Sequence, residues 1–249
     1  MEDPGAKSIV GLIDHTLLKP YASKRDIESL VSDAHRFGTY SVCINPVYAK
    51  YAKELISKKR YDLKIAAVAD FPLGSCSTMQ RRSMIRPLAG TADEIDAVVQ
   101  VGLVKSGNFS AVLEDLRGLA EEAHAGGMKL KVITEDAYLT VAEKEKVYET
   151  VFMSGADFIK TSTGFADSAY ASSIGNGSTG AETESVRLMH DVAERLGKSD
   201  VGIKVAGGVK TYAQILELLE ASGRDPIPER FRVGASGTKS ICEEAGIKR

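Results

Sequence analysis

Three charged residues stand directly after an isoleucine in short apolar runs: Glu94-Ile95-Asp96, Phe158-Ile159-Lys160 and Gly202-Ile203-Lys204. Side chains alternate across a strand. If each isoleucine faces covering helices, the charge that follows it faces the opposite way, into a closed sheet. Lysine is almost never buried without a partner. Burial and a neighbouring cation both lower its pKa. The neutral amine so produced attacks a carbonyl carbon and forms a Schiff base. Lys160 as nucleophile, Lys204 as the second cation and Asp96 as proton carrier make a set suited to imine chemistry. A single such lysine reads more simply as a structural ion pair or a solvated strand end. Three matched positions on three strands favour the chemical reading.

These residues need a scaffold that gathers strand ends. Apolar strand segments fall at Leu12–Asp14, Ser41–Ile44, Lys64–Ala69, Glu94–Val99, Lys129–Ile133, Phe158–Lys160, Gly202–Val205 and Arg232–Gly234. The segments between them have helical periodicity, as in Ile27, Leu30, Val31 and Ala34, or Val112, Leu116, Leu119 and Ala123. Capping-box pairs open four of them: Ser23 with Asp26, Ser77 with Gln80, Thr140 with Glu143 and Thr211 with Gln214. Glycines such as Gly38, Gly155, Gly197 and Gly223 close helices before the next strand. Eight strands alternating with helices predict an α/β fold, a single (β/α)8 TIM barrel with a short N-terminal segment, one domain over residues 1–249. An open doubly wound sheet is the alternative. The polar stretch Ala166–Gly180 predicts a long mobile loop after the sixth strand.

Two glycine turns follow the last two strands. Ala206-Gly207-Gly208-Val209 leads to Lys210, and Gly234-Ala235-Ser236-Gly237 precedes a short helix. Backbone N–H groups in such turns bind phosphate, and barrels place phosphate sites after strands seven and eight. Lys210 and Ser236 add a charge and a hydroxyl.

The chain has 249 residues, 43% hydrophobic and 27% charged, with net charge −2. Nothing in that balance suggests a general nucleic-acid or anionic-membrane binder, and a local basic pocket stays open. Three widely spaced cysteines, Cys43, Cys76 and Cys242, form no CxxC and argue against a disulfide framework or zinc knuckle. No apolar run reaches membrane-span length, and the N-terminal residues lack a secretory pattern, so the expected compartment is the cytoplasm. His15, His35, His124 and His190 show no metal-ligand spacing.

The motifs Ile13-Asp14-His15-Thr16-Leu17-Leu18-Lys19-Pro20, Ser41-Val42-Cys43-Ile44-Asn45-Pro46, Phe158-Ile159-Lys160-Thr161-Ser162-Thr163-Gly164-Phe165 and Gly202-Ile203-Lys204-Val205-Ala206-Gly207-Gly208-Val209 run in order along the chain. Together they resemble the deoxyribose-phosphate aldolase family of class I aldolases. The resemblance implies reversible cleavage of 2-deoxy-D-ribose 5-phosphate to D-glyceraldehyde 3-phosphate and acetaldehyde. It implies Lys160 as the imine lysine, Lys204 beside it, lowering its pKa and helping proton transfer, and Asp96 moving protons at the carbinolamine and enamine steps. It adds Asp14, Thr16, Cys43, Thr161 and Gly164 to the substrate-binding set. No metal or other cofactor is implied, because the protonated imine is the electron sink. The implied partners are phosphorylated sugars and aldehydes, with a homodimer or higher homo-oligomer as the assembly. A related class I aldolase or transaldolase, or a non-catalytic sugar-phosphate sensor, remains as an alternative.

Four features depart from the family pattern. The loop after Phe165 is long, Asp70 places a negative charge by the pocket mouth, Gln100 replaces an asparagine, and the tail Lys248-Arg249 offers no tyrosine for proton transfer.

Overall fold

Eight parallel strands pair in sequence order and close into a barrel, β8 returning to β1. The computed structural model describes residues 4–247. Residues 1–3 and Lys248-Arg249, on which the leader and tail expectations partly rest, lie outside them. A short helix α1 (Pro4–Val10) precedes β1 (Ile13–Leu17), and α2 (Lys24–Phe37) leads to β2 (Ser41–Ile44). Then follow α3 (Ala49–Lys59), β3 (Lys64–Ala69), α4 (Thr78–Ile85), β4 (Glu94–Val98), α5 (Val101–Lys105), α6 (Phe109–Ala125) and β5 (Lys129–Ile133). The second half runs α7 (Val141–Phe152), β6 (Phe158–Lys160), α8 (Ser168–Ser173), α9 (Thr183–Leu196), β7 (Gly202–Ala206), α10 (Tyr212–Ser222), β8 (Phe231–Ala235) and α11 (Thr238–Glu244).

Four strands, β2, β3, β5 and β6, begin and end at the expected residues. The first runs on to Leu17, beyond the expected Asp14, because Thr16 and Leu17 still pair with Cys43 and Ile44. Three capping boxes form in full, including Ser23 with Asp26, where the shorter aspartate still reaches the Ser23 N–H at 2.7 Å. The fourth forms by half. The Thr211 hydroxyl accepts from the Gln214 N–H, but the Gln214 side chain accepts from Lys210 instead.

The main core lies between strands and helices. It takes the outward residues of the barrel, such as Ile95, Ile159, Ile203 and Val233, against Ile27, Leu116 and their neighbours. Inside the barrel the apolar share is small: Leu18, Cys43, Ala66 and Val68, with Phe71 against them. Val98, Ile133 and Phe158 share the inward faces of their strands with a set of buried charges. Strand alternation therefore turns Ile95, Ile159 and Ile203 out and Asp96, Lys160 and Lys204 in, all three charges buried. No helix among the described residues is long and apolar enough to cross a membrane.

Candidate active site

The interior charges form a closed ring. Arg232 pairs with Asp14 and with Glu94 (3.1 Å). Lys131 bridges Glu94 (2.5 Å) and Asp96 (3.0 Å). Lys204 bridges Asp96 (2.7 Å) and Asp14 (2.6 Å), which completes the circle. Three cations thus alternate with three carboxylates. Lys160 is the fourth cation. It donates to Asp96 Oδ2 at 2.8 Å, the oxygen that Lys204 already occupies.

This count explains two opposite pKa shifts. Burial disfavours charge on Lys204, yet Asp14 and Asp96 outweigh it and hold its ammonium well above the usual lysine range. Lys160 is buried as deeply but has only a shared claim on Asp96, with the Lys204 charge beside it. Burial first, and Lys204 in addition, push its amine below the usual lysine value. Burial likewise opposes the charge on Asp96, but Lys131, Lys160 and Lys204 hold its carboxyl far below the ordinary range. The structure therefore separates the lysines into a permanent cation and an amine that gives up its proton more readily.

Lys160 reaches the floor of a cavity of about 530 Å³ at the carboxyl ends of the strands. Thr16, Gly164, Gly207, Gly208, Lys210, Gly234 and Ser236 line it. Asp96, Lys204 and Asp14 sit beneath, in the ring. Cys43 is a free, fully buried thiol beside the lysines, its pKa pushed up by burial. Thr161 does not line the cavity. Its hydroxyl bonds the Ala206 backbone N–H and carbonyl, both at 3.1 Å, and ties β6 to β7. The lining includes Lys19, Lys160 and Lys210 and no carboxylate, a wall suited to an anion. Gly207 and Gly180 make this wall possible. Gly207 has φ 84°, and a Cβ on Gly180 would fall 2.2 Å from the Gly207 carbonyl oxygen.

The profile of the DeoC/LacD family aldolases matches residues 8–238. The chain belongs to this family. A deoxyribose-phosphate aldolase of Thermoplasma volcanium is 44% identical over 96% of this chain and 94% of its own length. One from Thermococcus gammatolerans is 42% identical over 95% and 96%. The tetrameric deoxyribose phosphate aldolase of Aeropyrum pernix superposes with a TM-score of 0.78 at 25% identity, over 96% of this chain and 91% of that one.

Three further residues of the ring have no role assigned from the sequence, although two of them, Glu94 and Arg232, stand in the motifs Asp93-Glu94-Ile95-Asp96 and Arg232-Val233-Gly234-Ala235-Ser236. Lys131, Glu94 and Arg232 complete the ring. The alternation that found Asp96 applies to them too: Glu94 lies two residues before Asp96, and Lys131 pairs with Asp96 in register. Asp70 does not charge the pocket mouth. It is ion-paired to Arg81 at 3.3 Å, and its carboxylate also accepts from the Cys76 N–H. Gln100 holds the same segment through the Cys76 carbonyl. His15 bonds Thr238 at 2.7 Å and anchors the start of α11.

The stretch Ala166–Gly180 is no structureless loop. Asp167 caps α8 within it, and the Tyr138 hydroxyl accepts from the Asp167 N–H. Asn176 donates to the Ala137 and Leu139 carbonyls. The segment after β5 is thus the platform from which this loop hangs, a contact 37 to 39 residues distant in sequence.

Asp136 in that platform is buried, and burial pushes its carboxyl up to about 7 against the Thr134 hydrogen bond and the Lys144 charge. A raised carboxyl makes a contribution that is full below its ordinary pKa of 3.8 and lost as pH rises through about 7. Asp136→Asn should remove this loss, on the order of 2–3 kcal/mol between pH 5 and 8. Urea denaturation of both proteins at the two pH values tests it. An unchanged pH slope in the variant would contradict the assignment.

Proposed function

We propose that this chain is a deoxyribose-phosphate aldolase, one catalytic domain over residues 1–249 that acts through a Lys160 Schiff base. One observation carries the reading. Lys160 is a fourth cation that shares Asp96 with Lys131 and Lys204, and it ends at the floor of a cavity with no carboxylate among its described lining residues. The neutral Lys160 amine attacks C1 of open-chain 2-deoxyribose 5-phosphate. The carbinolamine loses water, a base takes the C3 hydroxyl proton, and the protonated imine draws the electron pair of the C2–C3 bond. D-Glyceraldehyde 3-phosphate leaves, the enamine is protonated at C2, and hydrolysis releases acetaldehyde.

Asp96 carries protons in these steps. Its carboxyl is held low by three lysines. When Lys160 loses its charge in the carbinolamine, one of those cations is gone and the proton affinity of Asp96 rises. Lys204 stays charged and stabilises the electron-rich intermediates without donating its own proton. The phosphate lies against Gly164, Gly207, Gly208, Gly234 and Ser236, with Lys210 near the rim. Thr16, Asp14 and Cys43 shape the sugar end. The protein works as a cytoplasmic homo-oligomer, as the tetramer of the Aeropyrum pernix relative supports.

Borohydride added with acetaldehyde should fix a stable two-carbon adduct on Lys160 and on no other lysine. Peptide mass spectrometry reads the outcome. Labelling confined to lysines other than Lys160 would falsify the mechanism. A coupled assay for glyceraldehyde 3-phosphate release from deoxyribose 5-phosphate, run beside other sugar phosphates, tests the substrate.

A further inference from the structure

Glu135 stands two residues beyond β5 with φ 53°, in the left-handed region that non-glycine residues rarely adopt. Its carboxylate is buried, at 1% exposure, and no ion pair joins it to a cation among the described residues. A buried charge without a counter-ion is unfavourable unless hydrogen bonds satisfy it. Those bonds all come from one place. Glu135 Oε1 accepts from the Thr163 N–H at 3.2 Å, and Oε2 accepts from the Thr163 hydroxyl. The same Thr163 oxygen accepts from the Phe165 N–H at 3.0 Å. One carboxylate therefore fixes the whole turn Thr163–Phe165, with Gly164 at φ 82° between them. All three turn residues line the cavity beside Gly207, with a Cβ on Gly164 falling 3.8 Å from the Gly207 Cα.

We propose that Glu135 is a positioning residue that holds the Thr163–Phe165 wall of the cavity in the geometry that receives the substrate phosphate. The proposal rests on the reading of this cavity as a sugar-phosphate site. Glu135 does not touch the reacting carbon, so it governs how phosphorylated substrate binds rather than imine formation. Burial pushes its carboxyl up, while the Thr163 hydrogen bonds and, least of these, the Lys160 charge pull it down; on Lys160 itself the governing charges are Asp96 and Lys204. A glutamine keeps one oxygen for the Thr163 N–H, whereas an alanine keeps none.

The test compares Glu135→Ala and Glu135→Gln with the wild type. Glu135→Ala should raise KM for deoxyribose 5-phosphate at least about tenfold, the scale of one to two lost hydrogen bonds, with a much smaller change in kcat. Glu135→Gln should recover most of that loss. Acetaldehyde has no phosphate, so its borohydride trapping on Lys160 should proceed at the wild-type rate in both variants. Equal losses in trapping and cleavage, or an unchanged KM in Glu135→Ala, would overturn the proposal. If Glu135→Ala does not fold, Glu135→Gln decides alone: a KM rise of about two- to fivefold with unchanged trapping supports it, and no rise overturns it. Inorganic phosphate provides a readout independent of turnover. It should raise the melting temperature of the wild type and raise that of Glu135→Ala less. A wild type that responds to phosphate but does not cleave deoxyribose 5-phosphate would refute the substrate and leave the role of Glu135 standing. An equal phosphate response in both proteins would refute the role of Glu135.

Discussion

Lys160→Ala is expected to lower kcat by on the order of 10⁵-fold or more, the scale on which covalent nucleophiles are lost. The reason lies in the ring. Six charges balance one another, and Lys160 is added to a circle that is already neutral. Removing it takes away the only lysine amine that lines the cavity from a strand of the barrel. It also leaves Asp96 with Lys131 and Lys204, so no carboxylate is orphaned. The fold should survive. Circular dichroism and a melting curve close to wild type, with cleavage near background, are the expected pair of results. Substantial residual turnover would mean that the imine forms elsewhere.

Lys204→Leu is expected to reduce kcat/KM about 10³-fold at pH 7, comparable with losing a preorganised charge from a dry site. Part of that loss is electrostatic and has a sign that can be measured. Without Lys204, the like charge that depresses Lys160 is gone and Asp96 is freer to pair with Lys160. The Lys160 amine should then keep its proton to higher pH. The pH profile of acetaldehyde trapping should therefore shift upward, and alkaline conditions should recover some activity. A purely structural role for Lys204 would not move the profile. Breaking a buried pair costs about 3–5 kcal/mol when it orphans a charge. Here Asp14 keeps Arg232, and Asp96 keeps Lys131 and Lys160, so the loss in stability should fall below that range. Near-normal rates at pH 7 would refute the role.

Local sequence carried the barrel and much of its site. Period-two alternation in Glu94-Ile95-Asp96 and Phe158-Ile159-Lys160 decides which side chains point inward, because a strand has only two faces. Caps such as Thr140 with Glu143 decide where helices begin, because they satisfy backbone N–H groups within three residues. Gly207 marks a turn beyond β7, whereas Gly234, expected in a turn, still pairs within β8; both line the cavity. These signals are short in range, so they survive in the chain without its fold.

What only the tertiary structure decided depends on contacts between distant segments. The ring joins residues as far apart as Asp14 and Arg232, and no spacing in the chain announces such a circuit. The different fates of Lys160 and Lys204 follow from it. Both lysines follow isoleucine on adjacent strands and pair directly in register, yet one sits between two carboxylates and the other shares one. Asp70 shows the same lesson in reverse: as a residue it adds a charge to the mouth, and in the fold it is buried against Arg81, which also pairs with Asp115. Glu135 is hidden for a similar reason, since its role exists only where the segment after β5 meets the turn after Lys160. The sequence by itself determined that Lys160 points into a barrel. The closed ring of charges determined that Lys160 gives up its proton there more readily than its neighbour Lys204, because balance among buried charges is a property of the whole set.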